Sequence, residues 1–492
     1  MSSIIVAGDV SGSVTLQAPS AAGSTVVTLP SSSMNMGNGG GSVSSNTAFG
    51  TSALGSNTTG AYNTAVGLQA LRDNTTGQQN NALGNGALAS NTTGNYNVAI
   101  GVDTLVANTA SNNTAVGHNA LHANTTGTPN DAFGSQALYS NTTGAYNVAV
   151  GRTALYSNTI GQSNVAVGWQ ALNSSTSDSM TAVGFAALAS NTTGTGSTAV
   201  GYAALYTNST GISNDAFGYQ ALRANTTGQN NTSFGFNSCR LNTTGSRNVA
   251  VGSYALELNL TGQDNTAVGY ATLENATGSW NTAVGGGVTG LYYTALNNVT
   301  TGARNTAVGC AAGGNLTTGT DNVIIGYNVN ASGVGGVNQI VIGASFNGQG
   351  DNTVSLGKAS NYVYATFTSA ATWTRVSDQR LKTNIQDDTL GLSFIEKLRP
   401  VTYTWKPSYE VPEELSSYNE ENQMDTEVVM HGLLAQEVKA ALDEVGVDTF
   451  EGWSLQSDGT QAISREMFIQ PLINAVKELS ARVKELEAKV NA

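Results

Sequence analysis

Asn63-Thr64-Ala65-Val66-Gly67-Leu68-Gln69-Ala70-Leu71-Arg72-Asp73-Asn74-Thr75-Thr76-Gly77 is one unit of a repeat, and its reading decides the fold. Thr64–Val66 is short and β-prone. Ala70 and Leu71 form an apolar pair that recurs in most units. Asn74-Thr75-Thr76-Gly77 carries turn chemistry: Asn tolerates a left-handed backbone, Thr hydroxyls bond locally, and Gly permits positive φ. The Gly that closes the strand recurs 18 times between Gly50 and Gly343, at a spacing of 17 with occasional 16 and one step of 24 from Gly285 to Gly309. A period held that closely signals a solenoid rather than a globular core. Seventeen residues are too few for a helix pair and fit one coil of a β-roll or β-helix. One coil cannot bury its own apolar face, so neighbours must stack on it.

Outward from this unit the chain divides. The repeats span 46–343 as a stem. Residues 344–376 are richer in aromatics, with Tyr362, Tyr364, Phe367 and Trp373, and read as a β-rich distal tip. At the other end, 1–30 offers three strand candidates (Ile4–Ala7, Val14–Gln17, Thr25–Leu29), a small β module suited to attachment on a particle. A Ser/Gly/Asn-rich linker follows over 31–45. The net charge of −13 splits unevenly: 8 Lys/Arg against 11 Asp/Glu over 1–376 gives −3, and 11 against 21 over 377–492 gives −10. That step marks a domain boundary near 377.

Composition excludes several classes. Neither half is basic, so binding nucleic acid by phosphate neutralisation is not expected. No apolar run approaches the ~20 residues of a membrane span. The N-terminal stretch lacks a basic region followed by a long apolar core, so synthesis in a cytoplasm is expected, with lysis or particle assembly carrying the product outside. Cys239 and Cys310 read as two free buried thiols, not a disulfide framework. The Asn-X-Thr triplets match a glycosylation acceptor, but their place at the turn column explains them as turn chemistry. No cofactor is called for, and His431 has no metal-ligand cluster beside it.

The units resemble the head repeats of trimeric autotransporter adhesins, left-handed β-rolls in trimers, and more closely the repeats of bacteriophage fibre proteins. An interwoven triple β-helix is the alternative arrangement. The C-terminal part carries Ser377-Asp378-Gln379-Arg380-Leu381-Lys382-Thr383-Asn384-Ile385 and, downstream, Gly432-Leu433-Leu434-Ala435-Gln436-Glu437-Val438. Over 377–492 it resembles the intramolecular chaperone domain of phage endosialidases and tail spikes, the peptidase S74 family. The resemblance implies self-cleavage by a dyad with Ser377 as nucleophile and Lys382 as general base. A Ser hydroxyl needs a base to take its proton, and Lys serves only if burial lowers its pKa. The cut is expected beside Ser377: at Ser377–Asp378 by attack across chains, or at Val376–Ser377 through an N→O acyl shift. Before the last helix, Ser464-Arg465-Glu466-Met467-Phe468 departs from the family, where a Tyr is common, which bears on local packing.

The last helix carries Ile469, Leu472, Val476, Leu479, Val483, Leu486 and Val490 in a 3–4–3–4 pattern, a coiled-coil seam, and Pro471 suits its first turn. The expectation is therefore a mainly β protein: a trimeric stem of 17-residue repeats followed by an α+β chaperone domain ending in a coiled-coil helix. The expected role is a phage tail fibre or spike on the virion. Its expected partners are a homotrimer, tail or baseplate proteins, and a host-surface receptor of glycan type. Tyr292 and Tyr293, in a seven-residue insertion within the long step, join Tyr362, Tyr364 and Trp373 as receptor-binding candidates. A glycan-degrading spike and a bacterial surface adhesin are the alternatives. Acids before 377 are few and scattered, which argues against a glycosidase pair.

Overall fold

The computed structural model describes residues 15–16, 27–28, 36–37, 39–287, 294–367, 370–375, 378–415, 417–456 and 458–491. Contacts divide the chain into two compact units, Met1–Val376 and Ser377–Ala492.

The first unit is a β-solenoid with one short strand per coil. Thr64–Val66 pairs in parallel with Thr47–Phe49 and Asn81–Leu83, setting Ala65 opposite Ala48 and Ala82. The pairing runs coil by coil to Gln339–Ala344 and Thr353–Lys358. Coils of 16 residues keep the register, with Ala166 opposite Ala182. The step of 24 keeps it too, with Ala283 opposite Ala307, and in that coil Ala295 and Leu296 are the buried pair.

In the three-residue strands of the stem the middle residue is buried and its neighbours face outward. The Ala–Leu pair is buried as expected, Ala70 and Leu71 being fully covered. The rest of the interior is polar. Asn63, Asn80 and Asn97 form one buried column, and Asn57, Asn74 and Asn91 a second. Asn80 Nδ2 donates to Gly94 O at 2.8 Å, and Asn63 Oδ1 accepts the Asn80 backbone N–H at 2.9 Å. In the second column Asn74 Nδ2 donates to Asn57 Oδ1 at 2.9 Å and to Gly77 O at 3.1 Å. Most interior amides thus bond a neighbouring coil, Asn91 Oδ1 being left without a partner, and this is how so polar an interior stays largely satisfied.

This corrects the turn reading. The left-handed residues are Gln69 (φ 58), Leu71 (φ 51) and Gln79 (φ 56), not Asn74. Asn74 is the buried rung of a ladder, so its Asn-X-Thr triplet is no accessible acceptor in the folded coil. Thr75 Oγ1 donates to Thr92 O of the next coil at 3.0 Å instead of bonding locally. Gly77 is required for space: a Cβ there would lie 2.4 Å from Asn74 Oδ1. A left-handed Leu costs about 1–2 kcal/mol. Burial of its side chain, worth about 1.5–3 kcal/mol, offsets that cost in each coil.

Antiparallel strands cover both ends of the parallel stack. Met36–Gly37 pairs with Thr47–Phe49, and the 3-10 turn Gly40–Ser42 lies on the first coil through Gly40 N–H to Leu54 O at 2.8 Å. Residues 39–45, within the segment expected to be a linker, are therefore part of the fold, because small residues let the backbone lie flat on a coil. At the far end Asn361–Thr366 and Ala370–Arg375 add in antiparallel fashion. Such closing strands keep a long sheet edge from pairing indiscriminately. Of the N-terminal module only the antiparallel pair Thr15–Leu16 with Val27–Thr28 is described; Ile4–Ala7 lies outside the described residues.

The second unit is α+β. Among the described residues three helices, α1 (Leu392–Ile395), α2 (Ala435–Val445) and α3 (Ile469–Val490), accompany two antiparallel pairs, Val401–Tyr403 with Met430–Gly432 and Trp453–Leu455 with Gln461–Ile463. Phe394 is fully buried at the centre, 5.7 Å from the Phe450 ring and 6.2 Å from Phe468, with Leu390, Val438, Ala441 and Leu442 around it. The start of α3 docks here: Asn474 Nδ2 donates to Asp388 O and Leu390 O, each at 3.0 Å, and the Leu392 N–H to Glu478 at 3.3 Å.

Candidate functional site

The C-terminal unit opens on a tight turn. Gln379–Leu381 forms a 3-10 turn capped by Asp378, whose carboxylate accepts the Arg380 backbone N–H at 2.9 Å and pairs with its guanidinium at 2.6 Å. The Arg380 guanidinium, and after it the Arg380 N–H, hold the Asp378 carboxyl below the usual carboxylate range. The backbone N–H of Lys382 closes the turn on Gln379 O at 3.0 Å. The turn thus fixes where the Lys382 backbone sits relative to Asp378, while its side chain is exposed within one chain. Ser377 and Val376 lie outside the described residues, as do Tyr292, Tyr293 and the side chain of Trp373.

The comparison with known families falls on this unit. Residues 377–447 match the peptidase S74 family, described as the chaperone of endosialidase. The match begins at Ser377, where the charge balance changes and where the contacts divide the chain. It takes in the turn, α1, the pair Val401–Tyr403 with Met430–Gly432, and α2. No curated protein and no solved structure matches the chain. Within the matched residues His431 is exposed on its strand. It borders an apolar hollow of about 400 Å³ with Ile395, Leu398, Arg465, Phe468 and Leu472.

The coiled-coil candidates stand on one face of α3. Leu472, Val476, Leu479, Val483 and Leu486 are all exposed, and only Pro471 and Ala475 of the helix are buried among the described residues. The helix begins at Ile469 with Pro471 in its first turn, as read from the sequence.

On the stem, Tyr362 packs against the solenoid core 5.8 Å from the Phe346 ring, and Tyr364 is half-buried opposite Ser355. A larger aromatic surface escaped the sequence reading. Trp169, Phe185, Tyr202, Tyr219 and Phe236 each follow the strand-closing Gly, and their rings contact one another at 5.0–5.2 Å. Tabulating the residue after each Gly would have revealed the column. Cys239, in the Leu column, is buried as expected, and burial pushes its thiol up to about 12. Cys310 is only half-buried. Glu257 and Glu274 share a column on successive coils: Glu257 binds Arg240 at 2.7 Å, and burial, then the charge of Glu257, raises the Glu274 carboxyl. Among the described residues no group of three or more His, Cys, Asp or Glu is placed to hold a metal, and no helix is long and apolar enough to cross a membrane.

Proposed function

We propose that this chain is a homotrimeric tail fibre or tail spike of a bacteriophage. The solenoid forms a stem that meets a host-surface receptor, glycan in class. The C-terminal domain drives trimerisation and is then released by Ser377–Lys382 autoproteolysis. The observation that carries this reading is the S74 match beginning at Ser377, at the junction between a nearly uncharged β-solenoid and an acidic α+β domain.

The chemistry would run once per chain. Neutral Lys382 Nζ takes the Ser377 Oγ proton as Oγ attacks the scissile carbonyl. The C–N bond breaks, the amine leaves with that proton, and water hydrolyses the resulting ester. Lys382 is exposed in one chain, and a lysine becomes a neutral base only when desolvated. Packing of neighbouring copies around the turn would supply that burial and delay cutting until assembly. The test is a denaturing gel of wild type beside Ser377→Ala and Lys382→Ala. A fragment near the mass of 1–377 in wild type alone supports the reading, and a wild type that stays full length ends it.

A second reading, a glycan-degrading spike, draws on Glu257 and Glu274, carboxyls one coil apart, or about 5 Å along the axis. Retaining glycosidases use such a spacing with one raised carboxyl. Glu257 is only 8 % exposed and bound by Arg240, so the pair lacks a free nucleophile, and binding remains the preferred role. Loss of polysaccharide hydrolysis in Glu274→Gln would reverse that preference.

A further inference from the structure

We propose that the outward column from Phe49 to Ile342 is a seam along which the stem packs, parallel and in register, against further copies of this chain; the inference rests on the homo-oligomeric reading above and locates its stem contact.

Each strand offers two outward positions. The first takes Thr64, Asn81, Asp131 or Asp215 as readily as Val. The third is Val, Leu, Ile or Phe in all 18 coils. Both positions share one backbone and one β-propensity, so propensity alone cannot separate them. What separates them is the surroundings each is selected for. In the single chain no residue of the third column is buried and most are exposed: Leu83 is 49 % exposed, Phe133 and Phe234 42 %, and Ile342 39 %.

The column is continuous. Cross-strand partners run from Phe49 opposite Val66 to Ile325 opposite Ile342 without a polar rung. At about 4.8 Å per strand it extends about 80 Å. A strip about 10 Å wide, the breadth of packed sheets, then presents about 800 Å². That exceeds the roughly 300–600 Å² patch of an ordinary monomer and equals one side of a standard stable interface.

Length, period and charge select the occupant. A partner must offer an uncharged face that repeats at the strand spacing over the whole column, and the same column of another copy of this chain meets both conditions. Pairing in register through the first column would set Asp131 against Asp131 and Asp215 against Asp215, whereas the third brings no like charges together. The aromatic column after Gly widens the seam between Trp169 and Phe236. Its near-parallel rings from Phe185 to Phe236 spend their faces on each other and leave edges for packing rather than a platform for a sugar.

The test places a cysteine on each column of one strand of the full chain. Val200→Cys and Thr198→Cys are treated with a short bismaleimide beside wild type, and oligomeric mass is measured by light scattering. Cross-linked dimer is expected from Val200→Cys and at background level from Thr198→Cys. Adding Val150→Asp with Val251→Asp should cut the Val200→Cys product at least tenfold. Adding Val148→Asp with Val249→Asp, in the column that already holds Asp131 and Asp215, should leave it unchanged. Circular dichroism confirms that each variant is folded. An oligomeric chain whose Val200→Cys gives no cross-link, or links no better than Thr198→Cys, overturns the seam alone. A wild type that is monomeric throughout overturns the homo-oligomeric reading and the seam with it.

Discussion

Asn147→Ala removes one rung of the interior asparagine ladder, and its cost can be worked from three contacts. Asn147 Nδ2 donates to Gly161 O at 2.8 Å and to Asn130 Oδ1 at 3.1 Å, and Asn147 Oδ1 accepts the Asn164 backbone N–H at 3.0 Å. These losses are unequal. Gly161 O keeps Asn158 Nδ2 at 3.1 Å, and Asn130 Oδ1 keeps the Asn147 backbone N–H at 3.1 Å. Each of those is a lost bond of about 0.5–1.5 kcal/mol. The Asn164 N–H loses its acceptor inside the coil, at about 1–3 kcal/mol for a buried donor. The total is about 4 kcal/mol, and in a solenoid it falls on the neighbouring coil contacts. Hydrogen exchange of peptides over 161–168 should therefore rise about a thousandfold, since about 1.4 kcal/mol is a factor of ten, while peptides near 323–327 keep their protection. Asn147→Ser should recover about half of the loss, because Ser197 stands in the same column and its Oγ accepts the Asn214 N–H at 3.1 Å. Unchanged exchange in Asn147→Ala, or a Ser variant no better protected than Ala, would refute the ladder as the source of coil-to-coil stability.

Gly151→Ala should open the stem locally: φ is 136° and the new Cβ would lie 2.5 Å from Gly168 O, so limited proteolysis should cut within residues 147–168 in the variant and not in wild type. Glu274→Gln should raise Tm at pH 7. The folded carboxyl is raised above its unfolded value, so folding loses stability as pH climbs through the unfolded pKa of about 4.3. The gain should vanish below that pH, and a gain that persists at pH 3 would point to packing rather than charge.

Much of the stem was legible because one period repeats so often. Strand, buried Ala–Leu pair and closing Gly all follow from residues that recur at fixed columns. The role of Asn74 was not legible, because turn propensity and burial compete for the same residue type. A turn Asn and a ladder Asn look alike until the next coil supplies its partner. The left-handed positions were hidden for the opposite reason: Leu71 is a residue that propensity would never place there, and it is held by burial and by its N–H to Ala87 O at 2.9 Å. In the C-terminal unit the motif from Ser377 and the heptad spacing of α3 were plain, while the Phe394–Phe450–Phe468 cluster joins residues far apart in sequence. Exposed columns are the general lesson, since the contrast between Val66 and Thr64 emerges only when positions are compared down the stack.

The proposed seam, built from near-identical rungs, would carry a hazard that the C-terminal domain is suited to remove. Sliding one copy by a single coil, about 4.8 Å, replaces Val183 against Val183 by Val183 against Val200, with no change in chemistry. Only irregular features resist the slip, such as Phe217 beside Phe234 at 4.4 Å and the coils of unequal length. Register is poorly specified wherever the pattern repeats, so copies that met along the seam would be trapped out of step, each leaving exposed rungs at its ends. A domain that first gathers equivalent residues at one end fixes the alignment before the coils zip, and the exposed stripe of α3, free of the core of its own unit beyond Glu478, is available for that gathering. Once the proposed seam is complete, a slip would have to break all 18 rungs together, and the aligning domain would have no further role. Under the proposed autoproteolysis, cleavage that waited for Lys382 to be buried by neighbouring copies would couple release to that moment, and a single-turnover dyad at the junction would suit a stem whose own surface cannot count its coils.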